Sequence, residues 1–259
     1  MEFVRKAGTR VKIIISPAKK MNIDTDTLPV RNLPWFLEDA KVLCGEIQKL
    51  SPAEAKALWK CNDKLTELNY KRFAEMDLER CLTPAVLAYE GLQYQHMAPG
   101  VFSEGALEYI DSHLRILSGF YGILSPFDGV TPYRLEMQAK LSVNGKKDLY
   151  EYWGDRLYRR LTEKDDTILN LASKEYSKAV EKYLTEKDRF VTVEFGELVN
   201  GKVKQKGTFA KMARGEMVRF LAENQIERIE ELKEFHALNL EYSKELSCEN
   251  KMVFLTNGR

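Results

Sequence analysis

Val11-Lys12-Ile13-Ile14-Ile15-Ser16-Pro17-Ala18-Lys19-Lys20-Met21 decides how this chain is read. Its β-branched run predicts a strand buried on both faces, since a strand with one wet face would alternate apolar and polar residues. Pro17 has no N–H and a fixed φ, so ladder pairing ends there. Ser16 and Lys19 then stand just past the carboxyl end of a central strand, where open α/β sheets bind ligands. A hydroxyl and an ammonium at that place suit a phosphate or another anion. The same residues also read as an ordinary polar turn after a buried strand.

The rest of the chain bounds the fold. At 259 residues, 44% hydrophobic and 31% charged, it can bury a core and is not disordered by composition. No apolar run is long enough to span a bilayer, so no membrane partner is expected. Residues 1–10 read as an N-terminal extension, native or added, outside the fold and without a secretory signal. Cys44, Cys61, Cys81 and Cys248 form no CxxC pair and read as reduced thiols of a cytoplasmic protein. His96, His113 and His236 are scattered, so neither a protein-bound metal nor another cofactor is expected.

Periodicity predicts helices over residues 35–50, 103–118, 148–163, 174–184, 209–224 and 226–235. Ser51-Pro52-Ala53-Glu54 is a capping box, and it opens a helix pair over residues 51–76. Strands are predicted over residues 83–95, 167–173 and 251–256, and a further apolar strand-like run over 119–127 ends at a second Ser-Pro. Asn200-Gly201 between alternating runs predicts a hairpin over residues 190–208. No Ser/Gly linker divides the chain. The expected fold is α+β: a single mixed α/β domain over residues 11–259, with a central sheet, a helical-pair subdomain and a C-terminal hairpin plus helices.

Polar clusters fall beside the predicted strand ends. If those strands share one sheet edge, Ser16, Lys19, Arg134, Glu136, Asp148, Asn170 and Ser173 build an anion-binding cleft. The carboxylates and arginines among them suit acid–base chemistry or a structural ion-pair net equally. No spacing marks a serine triad, a metal triad or a Walker loop, so no catalytic residue is assigned. The net charge of +1 is segregated: residues 202–219 carry six cations against Glu216 alone, and residues 223–249 carry eight glutamates against three cations. Such asymmetry hints at anion or nucleic-acid contact, or describes a solvated hairpin beside a solvated helix. Candidate phosphate contacts are Lys60, Lys64, Lys71 and Arg72 on the helix pair and Lys211, Arg214 and Arg219 on the later helix. The turn of the pair, Lys60-Cys61-Asn62-Asp63-Lys64, lacks the glycine usual in DNA-binding helical hairpins. Gly215, inside the later helix, marks close approach by another backbone or a ligand.

Taken in order, ISPAKKM, the Asp63-Lys64-Leu65 to Arg72-Phe73 helix pair, the run Leu114 to Leu124, Pro132-Tyr133-Arg134-Leu135-Glu136-Met137, Lys147-Asp148-Leu149-Tyr150, Trp153-Gly154-Asp155, the run Asn170 to Tyr176 and Phe209-Ala210-Lys211-Met212-Ala213-Arg214-Gly215 closely resemble the YaaA family over residues 11–256. The resemblance implies a cytoplasmic protein of the peroxide-stress response that limits iron-dependent oxidative damage. It also implies a mixed α/β fold, a helix-hairpin-helix element at residues 51–76 and binding to double-stranded or branched DNA. An enzyme acting on a nucleobase, nucleotide or nucleic acid through the polar cleft is the alternative, with a small-molecule ligand. The two readings part on whether the cleft residues converge around an open pocket. Direct iron sequestration is a third reading, and it predicts a stoichiometric metal.

Overall fold

The computed structural model describes residues 11–165 and 167–256, so the N-terminal extension lies outside the described residues. Strand β1 (Val11–Ile15) is central, as its composition predicts. Ile13, Ile14 and Ile15 are consecutive and all fully buried, which requires cover on both faces. Two-residue strands β2 (Lys20–Met21) and β4 (Tyr89–Glu90) pair with each other, as do β3 (Thr83–Pro84) and β7 (Gly129–Val130). The large sheet contains β1, β5 (Leu114–Ser118), β6 (Gly122–Leu124), β8 (Thr167–Asn170), β9 (Arg189–Val199), β11 (Leu240–Tyr242) and β12 (Lys251–Thr256). Its order is β11-β12-β9-β8-β1-β5-β6, and β10 (Lys202–Lys204) pairs with β9. The five strands from β12 to β5 run parallel, with antiparallel strands at both edges.

This order contains a topological switch. From β1 the chain moves to β5 on one side, returns to β8 on the other, and continues outward to β9. The connections leaving β1 and β8 therefore diverge, and a crevice opens beyond their carboxyl ends. The helices are α1 (Leu37–Gln48), α2 (Pro52–Trp59), α3 (Asp63–Ala74), α4 (Ala85–Ala88), α5 (Leu92–Met97), α6 (Glu104–His113), α7 (Leu149–Trp153), α8 (Arg156–Leu161), α9 (Lys174–Glu181) and α10 (Gly207–Glu223). Three 3₁₀ turns complete the described residues. The capping box forms: Ser51 Oγ accepts from the Glu54 N–H at 3.3 Å, and the Ser51 N–H donates to Glu54 Oε2 at 2.8 Å. The hairpin forms as well, with Asn200 at φ 51° and Gly201 at φ 73° between Val199 and Lys202. Those signs match a type I′ turn, which suits the twist of a two-residue hairpin.

Several predicted elements take another form. Residues 103–118 do not make one helix. Helix α6 stops at His113 and Leu114–Ser118 becomes β5, paired in register with β1 at Ile13–Leu114 and Ile15–Ile116. Leu114 and Leu117 fit a helical stripe, but Ile116 is buried too, and sheet pairing wins over local periodicity. Residues 83–95 are not a strand. They break into β3, α4 and β4, and Leu92 then begins α5. The run was apolar because it is buried, not because it is extended. Residues 148–163 split at Gly154, whose φ of 54° cannot continue a helix, giving α7 and α8. Residues 226–235 contain a 3₁₀ segment, Ile229–Glu234, instead of an α-helix, and β11 was not anticipated.

Gly215 is a close-approach site. A Cβ there would lie 2.2 Å from Gln93 O and 2.9 Å from Met97 N, so α10 and α5 touch backbone to backbone. Ala is the better helix former by about 1 kcal/mol in isolation, but overpacking against a rigid backbone costs about 1–3 kcal/mol. Gly215→Ala is therefore expected to lower Tm in a thermal melt, whereas Gly207→Ala, with open space at its Cβ, should not.

Candidate functional site

The carboxyl ends of β1 and β8 are tied together. The Leu171 N–H donates to Ile14 O at 2.9 Å, and the Ser173 N–H donates to Ser16 Oγ at 2.8 Å. Ser16 Oγ in turn donates to Ser173 Oγ at 3.2 Å. Ser173 occupies the N-cap position of α9 but caps no N–H with its side chain, because its hydroxyl is turned to Ser16. Over this seam lies a cavity of about 500 Å³.

The cavity gathers most of the predicted cleft: Ser16, Lys19, Arg134, Glu136 and Ser173. Glu136 is buried and accepts from Arg134 Nη2 at 3.0 Å and faces Lys19 Nζ at 3.1 Å through the same oxygen. Lys211 and Arg214, predicted as phosphate contacts, also line it. Arg219 does not; it pairs with Glu223 at 2.8 Å. Asn170 is buried just below, accepting from the Ala172 N–H at 2.9 Å and donating to Thr192 Oγ1 at 3.2 Å, and it lines an adjoining cavity. Asp148 lies elsewhere, as the N-cap of α7, where it accepts from the Glu151 N–H at 2.9 Å.

Sequence reading missed Glu90, Gln93 and Tyr94, which form one wall. They fall in the segment read as a strand, and only the Gly91-Leu92 break could have signalled a helix there. Tyr94 donates to Ser16 O at 2.9 Å, so α5 is fastened to the end of β1. Tyr133 and Tyr176, both buried, complete the wall, and Glu175 adds a third carboxylate. Burial, with Glu136 adding, holds the Glu175 carboxyl above its ordinary range against the opposing hydrogen bond from Gln138. Five cations and three carboxylates line the cavity, leaving a net positive charge.

The hydrogen-bond accounting singles this place out. Among the described residues, five buried side-chain N or O atoms have no partner, and three of them belong to cavity residues: Gln93 Nε2, Arg134 Nε and Arg214 Nε. Buried polar groups are nearly always satisfied, so this concentration marks a site waiting for acceptors. Lys20 pairs with Glu90 at 2.5 Å, whereas Lys211 and Arg214 have no carboxylate within ion-pair distance among the described residues. Burial pushes the Arg214 guanidinium down from its ordinary value.

The helix pair stands apart, and none of its residues lines the cavity. Trp59 stacks on Phe73, whose edge meets Phe120, and this anchors the pair to the core. Lys60 takes a left-handed conformation, φ 47°, at the position where a glycine was missed. Lys60, Lys64 and Lys71 are exposed, Lys71 lies 4.0 Å from Glu75, and the half-buried Arg72 donates to Asn69 Oδ1 at 3.3 Å. Among the described residues, no group of three or more His, Cys, Asp or Glu side chains could hold a metal ion, and no helix is long and apolar enough to cross a membrane.

An unpaired guanidinium held partly out of water is a stability cost of a few kcal/mol that an apolar side chain of similar length would not carry. Arg214→Met is expected to keep or raise Tm. A large fall in a thermal melt would show that the guanidinium holds the fold together.

A UPF0246 protein of Desulfitobacterium hafniense is 56% identical over 245 residues, 95% of this chain and 98% of its own length. A UPF0246 protein of Agathobacter rectalis is 54% identical over 244 residues, 94% of this chain and 98% of its own. Another, from Lachnoclostridium phytofermentans, is 56% identical over 245 residues, 95% of this chain and 96% of its own. The family model described as peroxide stress protein YaaA matches residues 11–246, which include every candidate site residue, and the chain belongs to that family.

Proposed function

We propose that this member of the peroxide-stress family binds DNA, double-stranded or branched, with the cavity at the switch point receiving one nucleotide of it. Binding would limit iron-dependent oxidative damage to the DNA, a link drawn from the family resemblance. The observation that carries the DNA reading is that the unpaired Lys211 and Arg214 line the same cavity as the Ser16–Ser173 seam. Unpaired cations beside a hydroxyl seam suit a phosphate, and the largely apolar wall suits the body of a base. The exposed lysines of the helix pair supply a second, outlying contact to the phosphate backbone.

A second reading has one observation in its favour. Ser16, Glu136 and Glu175 converge around an open pocket, as an enzyme acting on a nucleobase or nucleotide requires. Its test is release of base or of a cleaved strand from damaged and undamaged oligonucleotides.

DNA affinity should fall steeply with salt, by about 0.9 log units per log unit of salt for each phosphate neutralised. Lys211 is exposed and makes no ion pair among the described residues, so Lys211→Glu should leave Tm unchanged. In fluorescence anisotropy it should weaken binding by about tenfold at low salt. Unchanged affinity would remove the cavity from the DNA interface. Acid should tighten binding: Glu175, held high, takes a proton as pH falls, and Lys19, Arg134, Lys211 and Arg214 then face one carboxylate fewer. Glu175→Gln should flatten that rise in a series taken downward in pH from neutrality, because a carboxyl raised by burial takes its proton before an ordinary one does.

A further inference from the structure

The switch-point cavity has a neighbour. A second cavity of about 740 Å³ opens over the carboxyl end of β8 and the first half of β9, floored by Asn170 and Thr192 and rimmed by Asn250. Arg214 lines both cavities. It is the partition between them, and no hydrogen-bond acceptor is found for it among the described residues.

The two compartments differ in chemistry. The first is walled largely by apolar and aromatic groups, with Tyr94 and Tyr176 among them, and has excess positive charge. The second mixes amides and hydroxyls with apolar groups such as Leu184 and Phe190, and its three cations face three carboxylates. Each exceeds the roughly 300 Å³ at which ligand-sized pockets begin. A guanidinium without acceptors between a largely apolar chamber and a more polar one suits a ligand with a central anion and a group of nucleoside size on either side.

We infer that the site takes two successive nucleosides of one strand, one in each compartment, with Arg214 donating to the phosphodiester between them. This rests on the DNA reading above and narrows it from a single nucleotide to a dinucleotide unit. A free mononucleotide would fill only the first chamber. A phosphodiester carries one negative charge and two free oxygens, and Arg can meet both with a bidentate fork. The largely apolar wall of the first chamber packs on its base without reading sequence, so binding should tolerate any base there. The polar chamber, with Asn170 and Asn250 amides, holds the neighbouring nucleoside by hydrogen bonds.

Isothermal titration of the full chain with thymidine, dTMP and the dinucleoside monophosphate TpT tests this. TpT should bind about tenfold or more tighter than dTMP, the usual worth of a second set of contacts with a charge-assisted hydrogen bond. Asn250 is exposed at the rim of the second chamber, so Asn250→Trp should fill that chamber without unfolding the chain. It should remove the TpT advantage and leave dTMP unchanged. Arg214→Met should lose TpT binding while keeping Tm. TpT no tighter than dTMP, or unaffected by Asn250→Trp, would overturn the two-chamber inference and leave the single-nucleotide reading standing. No binding of any probe, with salt-dependent DNA binding intact, would overturn it and move the DNA contact to the helix pair. Loss of DNA binding as well would overturn both.

Discussion

The pairing of β1 between β5 and β8 is the constraint on which the rest depends. It makes Ile13, Ile14 and Ile15 a buried spine and sends the chain outward in opposite directions from the two neighbouring strand ends. Parallel strands cannot be joined by tight turns, so long crossovers must run over the sheet, and their ends collect at one edge. Residues far apart in sequence meet there for that reason alone. Ser16 and Ser173 are brought into hydrogen-bond contact by two strands whose register pairs Ile14 with Asn170.

A packed protein usually satisfies its buried donors, and most of this one does. The tyrosines near the site show the rule: Tyr133 shares hydrogen bonds with Tyr89 and Ser118, and Tyr94 finds the Ser16 carbonyl. Against that background, a guanidinium without an acceptor is a local cost that folding does not reward. Gly215 beside it permits a backbone approach that fixes α10 against α5 and so holds Arg214 at the partition. Stability is given up at one residue, and the neighbouring packing keeps that residue in place. That pattern is expected where binding, not folding, selects the side chain.

Much of this was legible in the sequence, for identifiable reasons. The β1 run, the Ser51 capping box and the Asn200-Gly201 turn are governed by local chemistry, and each formed as read. Ser16 and Ser173 were legible because strand ends at a parallel sheet edge are predictable places, and Lys19, Arg134 and Glu136 reach the same cavity from the segments that follow β1 and β7. What failed was set by tertiary context. Leu114–Ser118 carries a pattern that serves helix or strand, and only its pairing with β1 decides. The wall made by Glu90, Gln93 and Tyr94 was hidden by the same ambiguity, since buried helices and buried strands are both continuously apolar. Asp148 shows the converse: a carboxylate beside strand-end clusters in sequence that is spent on capping a helix. That Lys211 and Arg214 belong to the cleft was invisible, because a helix face cannot be assigned to a sheet edge 200 residues away without the fold.

The account rests on a phosphate meeting Arg214 between the two chambers. The most direct measurement is a crystal structure of the chain with a short DNA duplex that carries an unpaired overhang. The expected result is a phosphodiester within hydrogen-bond distance of the Arg214 guanidinium, with one nucleoside over the Ser16–Ser173 seam and the next over Asn170 and Thr192. An oligonucleotide bound only along the helix pair, with both chambers empty, would contradict it.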